Sequence, residues 1–184
     1  MEPGQRWQRL VELAASQAGH FTAQQAAALD ISAQVLAYRV NSGAVVRCAR
    51  GIFRLAHFPA GEHDSLVVLA LWAGPEACFS HTTALWLHQL SDALPARAHV
   101  TVPTSFSSTK KVPDGVILHR RDVWSDGIAW LGPLRVTTPY DTLRDCLLDH
   151  VDPLLVRQAI EQGFARGMLT AQQAAALKRT AEKA

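Results

Sequence analysis

Apolar positions in the first 58 residues recur in the order helix, helix, helix, strand, strand. Residues 6–18 place apolar side chains at helical spacing, and Gly19 follows as a C-terminal cap. A short second helix begins after Thr22, and a third covers roughly residues 33–42 after Ser32 as N-cap. The segments "AVVRCA" and "IFRLA" then predict two short strands joined by a tight turn. This order is typical of a winged helix-turn-helix, in which the third helix enters the major groove and the hairpin contacts phosphate.

The octapeptide "TAQQAAAL" occurs twice, at 22–29 and at 170–177. In both copies a threonine is followed three positions later by glutamine, which is the pattern of a capping box, and an apolar residue precedes the threonine as a hydrophobic staple. Each copy also begins three residues after a glycine. The repeat is therefore interpreted as one way of starting a helix, used twice. Only the first copy leads into a predicted recognition helix.

The second half of the chain predicts helices around a small sheet. Helices are expected from Glu62 to Ala73 and from Ala77 to Leu90, and three more begin at Thr138, at Asp152 and at the second octapeptide. Four strands are expected between them, within "HVTVP", "VILHR", "IAWL" and "LRVTT". Because their connections are too short for helices, we expect the strands to pair antiparallel. The fold class is α+β, with a winged helix-turn-helix followed by a mixed helical and antiparallel-sheet domain.

The segment "HFPAGEH" predicts the boundary between a domain of residues 1–58 and one of residues 59–184. Residues 1–58 contain six arginines and three acidic residues, a balance of +3. Residues 59–184 contain twelve basic and thirteen acidic residues, a balance of −1. The positive charge is therefore concentrated in the domain that has the predicted DNA-binding order.

Composition and cysteine usage point to the cytoplasm. The longest apolar run, "LVVLALWA", is too short to cross a bilayer, and the N-terminal decapeptide has no apolar signal core. The three cysteines are widely spaced, which suits reduced thiols better than disulfides. We therefore expect a cytoplasmic protein without a membrane partner.

Three arginines of the hairpin, Arg47, Arg50 and Arg54, are the candidate phosphate contacts. A solvated edge hairpin, on which basic residues discourage strand pairing, is the alternative.

The candidate base-reading residues lie on the third helix. Gln34 and Asn41 have amides that can read adenine, Tyr38 can contact a thymine methyl group, and Arg39 can bind guanine or phosphate. An ordinary exposed helix face is the alternative interpretation.

Metal and enzyme sites are less well supported. Cys78, His81 and His88 lie close in sequence, but no second pair of ligands completes a tetrahedral set. Ser80 and His81 are neighbours on the helix expected from Ala77 to Leu90, where side chains point about 100° apart, so they do not form a catalytic pair. The sequence also lacks a phosphate-binding glycine loop. We assign no catalytic residue, metal or cofactor, and expect that the protein is not an enzyme.

Four segments in order, "GHFTAQQAAALDIS", "VLAYRVNSGAVVRCARGIFRL", "FSHTTALWLHQLSDALPARAHVTVP" and "VTTPYDTLRDCL", resemble the AbiEi-type antitoxins of abortive-infection and type IV toxin–antitoxin systems. The resemblance implies an N-terminal winged domain that binds inverted repeats in its own promoter and represses transcription. It implies a C-terminal domain that counteracts a nucleotidyltransferase-like toxin. It places DNA contacts on Gln34, Tyr38, Arg39, Asn41, Arg47, Arg50 and Arg54.

The expected partners are double-stranded promoter DNA and the cognate toxin. Inverted repeats imply two copies on DNA, bound either as cooperating monomers or as a dimer. The main alternative is a stand-alone winged-helix regulator whose C-terminal domain binds a ligand or dimerises. A metal- or histidine-dependent hydrolase in the second half is the third hypothesis.

Overall fold

The structure is a computed structural model that describes residues 3–107 and 111–182. It divides into two compact units, Met1–Pro75 and Glu76–Ala184. The sequence places the domain boundary after residue 58, so the two divisions differ in residues 59–75. These residues include an apolar helix, Asp64–Ala73, which contacts the strands of the N-terminal unit.

The N-terminal unit has the element order of a winged helix-turn-helix with an additional C-terminal helix. Its elements are α1 (Pro3–Ala15), β1 (His20–Thr22), α2 (Ala23–Ala28), α3 (Ala33–Asn41), β2 (Val45–Ala49), β3 (Ile52–Leu55) and α4 (Asp64–Ala73). The three helices and the hairpin that the apolar spacing predicts before residue 58 are all present.

The strand β1 completes a three-stranded antiparallel sheet of order β1-β3-β2. The sequence does not predict β1, because three residues are too few to show an alternating pattern of apolar and polar side chains. Phe21 of β1 pairs with Phe53 of β3, and their rings stack with centroids 5.7 Å apart. β1 thus links the end of α1 to the wing and orders the chain immediately before α2.

The core of this unit lies between α1, α2, α3 and the sheet. Its buried members are Leu10, Ala14, Phe21, Ala26, Ile31, Leu36, Val45, Phe53 and Leu55. Gly19 passes close to this core in a left-handed conformation with φ of +82°. A Cβ atom at Gly19 would lie 2.6 Å from the Phe58 side chain. Glycine is therefore required here by both conformation and space.

We expect Gly19→Ala to destabilise the N-terminal unit by about 2–3 kcal/mol, because strained left-handed backbone adds to a steric conflict. Gly43→Ala is the matched control. Gly43 has φ of +75° but nothing within 4 Å of its Cβ position, so only the conformational cost of about 1 kcal/mol applies. Denaturant unfolding of both variants measures the difference. Equal losses would show that Phe58 does not restrict this position.

The two octapeptides form the same helix start, as predicted. The Thr22 hydroxyl accepts a hydrogen bond from Gln25 N at 3.1 Å, and Gln25 Oε1 accepts one from Thr22 N at 2.8 Å. At Thr170 and Gln173 the corresponding distances are 3.1 and 2.9 Å. Both staple residues, Phe21 and Leu169, are buried. The repeat is a local folding solution that is shared by the two units.

In the described part of the C-terminal unit, a five-stranded sheet is combined with four α-helices. Its elements are β4 (Cys78–Phe79), α5 (His81–Leu87), β5 (Ala98–Val102), β6 (Val116–Arg120), β7 (Ile128–Leu131), β8 (Leu134–Thr137), α6 (Pro139–Leu148), α7 (Pro153–Ala165) and α8 (Ala171–Ala181). A single 3-10 turn, Ser125–Gly127, precedes β7. The predicted α+β class is confirmed.

The sheet of this unit is mixed, with strand order β6-β5-β4-β8-β7. β5 and β6 pair in parallel, as do β4 and β8. The expectation that the four predicted strands pair antiparallel is therefore wrong for β5 and β6, and it is confirmed for β7 and β8. The expectation rests on connections too short for a helix, but a connection as long as residues 103–115 can join parallel strands even without a helix.

The expected helix from Ala77 to Leu90 is also wrong at its start. Cys78 and Phe79 form β4 between β5 and β8, and α5 begins only at His81. Ser80 is an extended N-cap, and His81 has φ of +50°. An apolar segment of this length does not distinguish a buried strand from a helix.

The helices of the C-terminal unit pack into one apolar core. It is formed by Leu85, Leu90, Ala93, Leu143, Cys146, Leu147, Val156, Ala159, Ile160, Leu169, Ala174 and Leu177. Within the described residues, none of the helices is both long and apolar enough to cross a lipid bilayer.

Candidate nucleic-acid interface

The recognition helix α3 packs against the core of the N-terminal unit on one face and is exposed to solvent on the other. The Ser32 hydroxyl accepts a hydrogen bond from Val35 N at 3.3 Å, and Leu36 anchors the helix in the core. On the outer face Tyr38 is 70 % exposed and Val35 is 43 % exposed. Large exposed side chains on a short, well-anchored helix have no packing function, so this face is available for a partner.

The other three candidates on α3 differ in their surroundings. Gln34 and Asn41 are exposed. Arg39 is half-buried, with its guanidinium 4.1 Å from the centre of the Trp7 ring on α1. This cation–π contact holds the Arg39 side chain at the edge of the helix face. Arg39 therefore contributes positive charge near the face, while Gln34, Tyr38 and Asn41 project from it.

The wing is a twisted hairpin whose tip is cationic. β2 and β3 pair from Val45 opposite Leu55 to Ala49 opposite Ile52, with an irregularity between Arg47 and Ala49. Gly51 has φ of +75° and closes the tight turn. Arg50 lies exposed at this turn, as a phosphate contact requires.

The two remaining arginines of the wing are not equivalent. Arg47 is exposed on the edge strand β2, with its guanidinium 5.5 Å from the centre of the Phe53 ring. Arg54 is half-buried on the central strand β3 and donates a hydrogen bond to the Phe58 carbonyl at 2.7 Å. Arg54 therefore fixes the chain that leaves the wing, and Arg47 and Arg50 present their charge to solvent.

A second polar cluster lies in the C-terminal unit, where sequence analysis assigned no site. His81, His99 and His119 come from α5, β5 and β6, and one ring nitrogen of each lies within 4.8 Å of the others. Burial lowers the pKa of all three, with His81 and His99 brought to about 4, and the neighbouring imidazoles of His119 and His81 respectively lower these two pKa values further. Parallel pairing of β5 and β6 makes His99 and His119 diagonal neighbours, since His119 pairs with Thr101, and the expected antiparallel arrangement does not predict this.

The earlier candidate ligands Cys78 and His88 are not part of this cluster. His88 Nε2 lies 2.8 Å from the Thr137 carbonyl, so it has a structural hydrogen bond. Cys78 is buried in β4, and burial raises the pKa of its thiol to about 11. Of the three residues that are close in sequence, only His81 meets other imidazoles.

Ser80 and His81 do contact each other, contrary to the argument from helical geometry. Ser80 Oγ lies 2.8 Å from His81 Nδ1, and His81 Nε2 lies 3.0 Å from Asp149 Oδ2. Ser80 is fully buried and its hydroxyl accepts a hydrogen bond from Thr101. A substrate cannot reach Ser80 Oγ, so this chain of contacts does not form a nucleophilic serine with its base.

Comparison with known proteins supports the fold and the N-terminal module. The chain is similar in fold to the crystal structure of the RV2827C protein from Mycobacterium tuberculosis, with a TM-score of 0.52 and 14% sequence identity over 96% of this chain and 73% of that one. A comparison with curated proteins finds no significant match. Residues 8–56 match the family model described as "Transcriptional regulator, AbiEi antitoxin". This match agrees with the resemblance to AbiEi-type antitoxins that the motifs indicate, and it covers the helices and the wing of the N-terminal unit.

Proposed function

We propose that the protein is a cytoplasmic antitoxin that represses its own operon by binding inverted repeats in the promoter through α3 and the wing. The observation that carries this proposal is the module of residues 8–56, in which an exposed polar helix face and an exposed arginine hairpin follow one another. In the proposed complex Gln34, Tyr38 and Asn41 read bases, with Arg39 beside them. Arg47 and Arg50 contact phosphate, and Arg54 supports the wing.

The salt dependence of DNA binding tests the role of the wing. We expect Arg47→Ala and Arg50→Ala each to weaken binding to the upstream DNA about tenfold, because each removes a charge-assisted contact. Each substitution is also expected to lower the slope of log affinity against log salt concentration by about 0.9. Fluorescence anisotropy at a series of salt concentrations measures both quantities.

Arg9→Ala is the matched control for this experiment. Arg9 is exposed on α1, outside both α3 and the wing, so the variant loses the same charge from a different surface. Its slope should equal that of the unaltered protein. If the triple variant of Arg47, Arg50 and Arg54 binds DNA as well as the unaltered protein, the wing is not the phosphate-binding element.

The C-terminal unit, residues 76–184, is proposed to counteract a nucleotidyltransferase-like toxin. Its support is the family match of the N-terminal module, together with the motifs of the second half that resemble AbiEi-type antitoxins. Co-expression of the full chain with the product of the neighbouring gene should relieve growth arrest. The Arg47/Arg50 double variant should still relieve arrest while losing repression of a promoter reporter. Loss of both activities together would contradict a division of labour between the units.

A further inference from the structure

The histidine cluster of the C-terminal unit has the donor set of a transition-metal site. We propose that His81, His99 and His119, with Asp149 as the adjoining carboxylate, bind one Zn²⁺-class divalent ion. This site is separate from the proposed DNA interface, and it does not depend on the proposed function. Imidazole nitrogen together with one carboxylate oxygen is a ligand set that zinc accepts readily.

The distances within the cluster are close to those between ligands of one metal ion. Asp149 Oδ2 lies 3.0 Å from His81 Nε2 and 3.1 Å from His119 Nδ1. His99 Nδ1 lies 3.0 Å from His119 Nε2. Zinc–ligand bonds of about 2.0–2.1 Å place the donor atoms of a tetrahedral site about 3.4 Å apart. Because these contacts use both ring nitrogens of His119 and an ion takes only one, the His119 ring must turn for all four residues to surround one ion. One ring nitrogen from each of the three histidines already lies within 4.8 Å of the others.

The backbone brings these residues together from four separate elements. His99 and His119 lie on adjacent parallel strands as diagonal neighbours, since His119 pairs with Thr101 and His99 pairs with Ile117. His81 is the first residue of α5, and its ring stacks on that of His119 with centroids 3.7 Å apart. Asp149 is the C-cap residue of α6. Because the elements are themselves fixed by the sheet and the apolar core, the donors are preorganised.

A second layer of hydrogen bonds orients the His81 ring. Its Nδ1 contacts Ser80 Oγ at 2.8 Å, and Thr101 Oγ1 donates to the same oxygen at 2.8 Å. With Nδ1 held in this way, Nε2 is the nitrogen turned toward Asp149. Metal-binding histidines in general have the second ring nitrogen engaged by such a partner, which sets the tautomer. The sequence does not predict this contact of Ser80 with His81, because the contact depends on the extended backbone of Ser80 and the left-handed backbone of His81.

The charges around the cluster favour a cation. Asp149 contributes a carboxylate and lies at the C-terminus of α6, where the helix dipole is negative. Asp145 adds a second negative charge, although Arg121 pairs with it. Arg97 lies near His99 and opposes this field. The Asp149 side chain is 49% exposed, which gives an ion access from solvent.

Metal titration of the full chain tests the site. The purified protein is treated with EDTA, returned to metal-free buffer and titrated with ZnCl₂ by calorimetry, and mass spectrometry of bound metal gives the stoichiometry. We expect one Zn²⁺ per chain, a melting temperature that rises with Zn²⁺ concentration, and no comparable response to Mg²⁺. Absence of stoichiometric Zn²⁺ binding would overturn the proposal.

Variants of the two strand histidines locate the ion. His99→Gln and His119→Gln should each weaken Zn²⁺ binding at least about tenfold, and both side chains are sufficiently exposed for the variants to fold. His150→Asn is the control, because His150 follows Asp149 but is exposed and has a left-handed φ of +51° that asparagine tolerates. Circular dichroism confirms that each variant is folded. Unchanged Zn²⁺ affinity in the folded double variant would place the ion elsewhere and refute the site.

Discussion

Replacing Arg121 by methionine is expected to destabilise the C-terminal unit by about 3–5 kcal/mol. Arg121 donates two hydrogen bonds to Asp145, one from each terminal nitrogen to each carboxylate oxygen. The Asp145 side chain is fully buried on α6, whereas that of Arg121 is 35 % exposed. Removing the arginine therefore leaves a carboxylate in the interior without its counter-charge, which is the more costly way to break such a pair.

Replacing the other partner of the pair, Asp145, is expected to lower the free energy of unfolding by a smaller amount. Asp145→Asn keeps a carbonyl oxygen that can accept from Arg121, and the partly exposed guanidinium can be hydrated. The double variant Arg121→Met/Asp145→Leu should recover most of the stability, because apolar side chains of similar size often replace a buried ion pair without net loss. Urea unfolding of the three variants gives the free energies of a thermodynamic cycle.

Arg144→Met is the matched control for these measurements. Arg144 pairs with Asp141 at 2.7 Å on the exposed side of the same helix. A pair of this kind is worth about 0.3–0.5 kcal/mol, so its loss should be nearly silent. If Arg121→Met is as mild as Arg144→Met, the Asp145 carboxylate is not held by Arg121 in solution.

The N-terminal module was predictable from sequence because its signals are local. Capping boxes, a glycine in the left-handed region and a turn between two short apolar segments each act over a few residues. The capping box at Thr22 and the turn at Gly51 were both found at their predicted places. The strand β1 escaped detection, because its three residues acquire their conformation by pairing with β3.

The C-terminal unit was less predictable because its sheet depends on contacts between distant segments. Val136 of β8 pairs in parallel with Phe79, whose segment had the apolar character of a helix. Because the sequence predicts helix at Cys78 and Phe79, it does not predict that Ser80 is extended and that its side chain contacts His81. The histidine cluster is also not predictable from the sequence, because His99 and His119 approach each other only when β5 and β6 pair in parallel.

The sequence predicts the DNA contacts from residue type, and the structure divides them into exposed side chains and side chains that are partly buried. Arg54 has the same chemistry as Arg50, but its hydrogen bond to the Phe58 carbonyl commits it to the fold. Arg39 is partly committed to Trp7. Sequence alone could not make this distinction, because it depends on which side chains happen to find an internal partner.

Substitution of Gln34 and Tyr38 by alanine is expected to abolish sequence-specific binding while leaving non-specific binding intact. A side chain that reads a base is worth about 1–3 kcal/mol of discrimination, so each substitution should weaken operator binding about 10- to 100-fold. Neither residue carries charge, so the salt slope and the affinity for unrelated DNA should not change. Both side chains lie exposed on α3, and alanine favours helix, so the unit should remain as stable as before.

Binding of each variant to the upstream DNA and to a scrambled duplex of equal length measures this discrimination. Ala37→Ser is the control on α3, because Ala37 is exposed and its replacement adds little volume. The pattern expected for Arg50→Ala is the reverse, with both duplexes weakened and a shallower salt slope. If Tyr38→Ala weakens both duplexes equally, Tyr38 contacts the backbone of DNA, and base reading must then come from other residues of α3. Variants of α3 should therefore lose discrimination between the two duplexes, and variants of the wing should lose affinity for both. These results differ because base edges carry sequence information and phosphates do not.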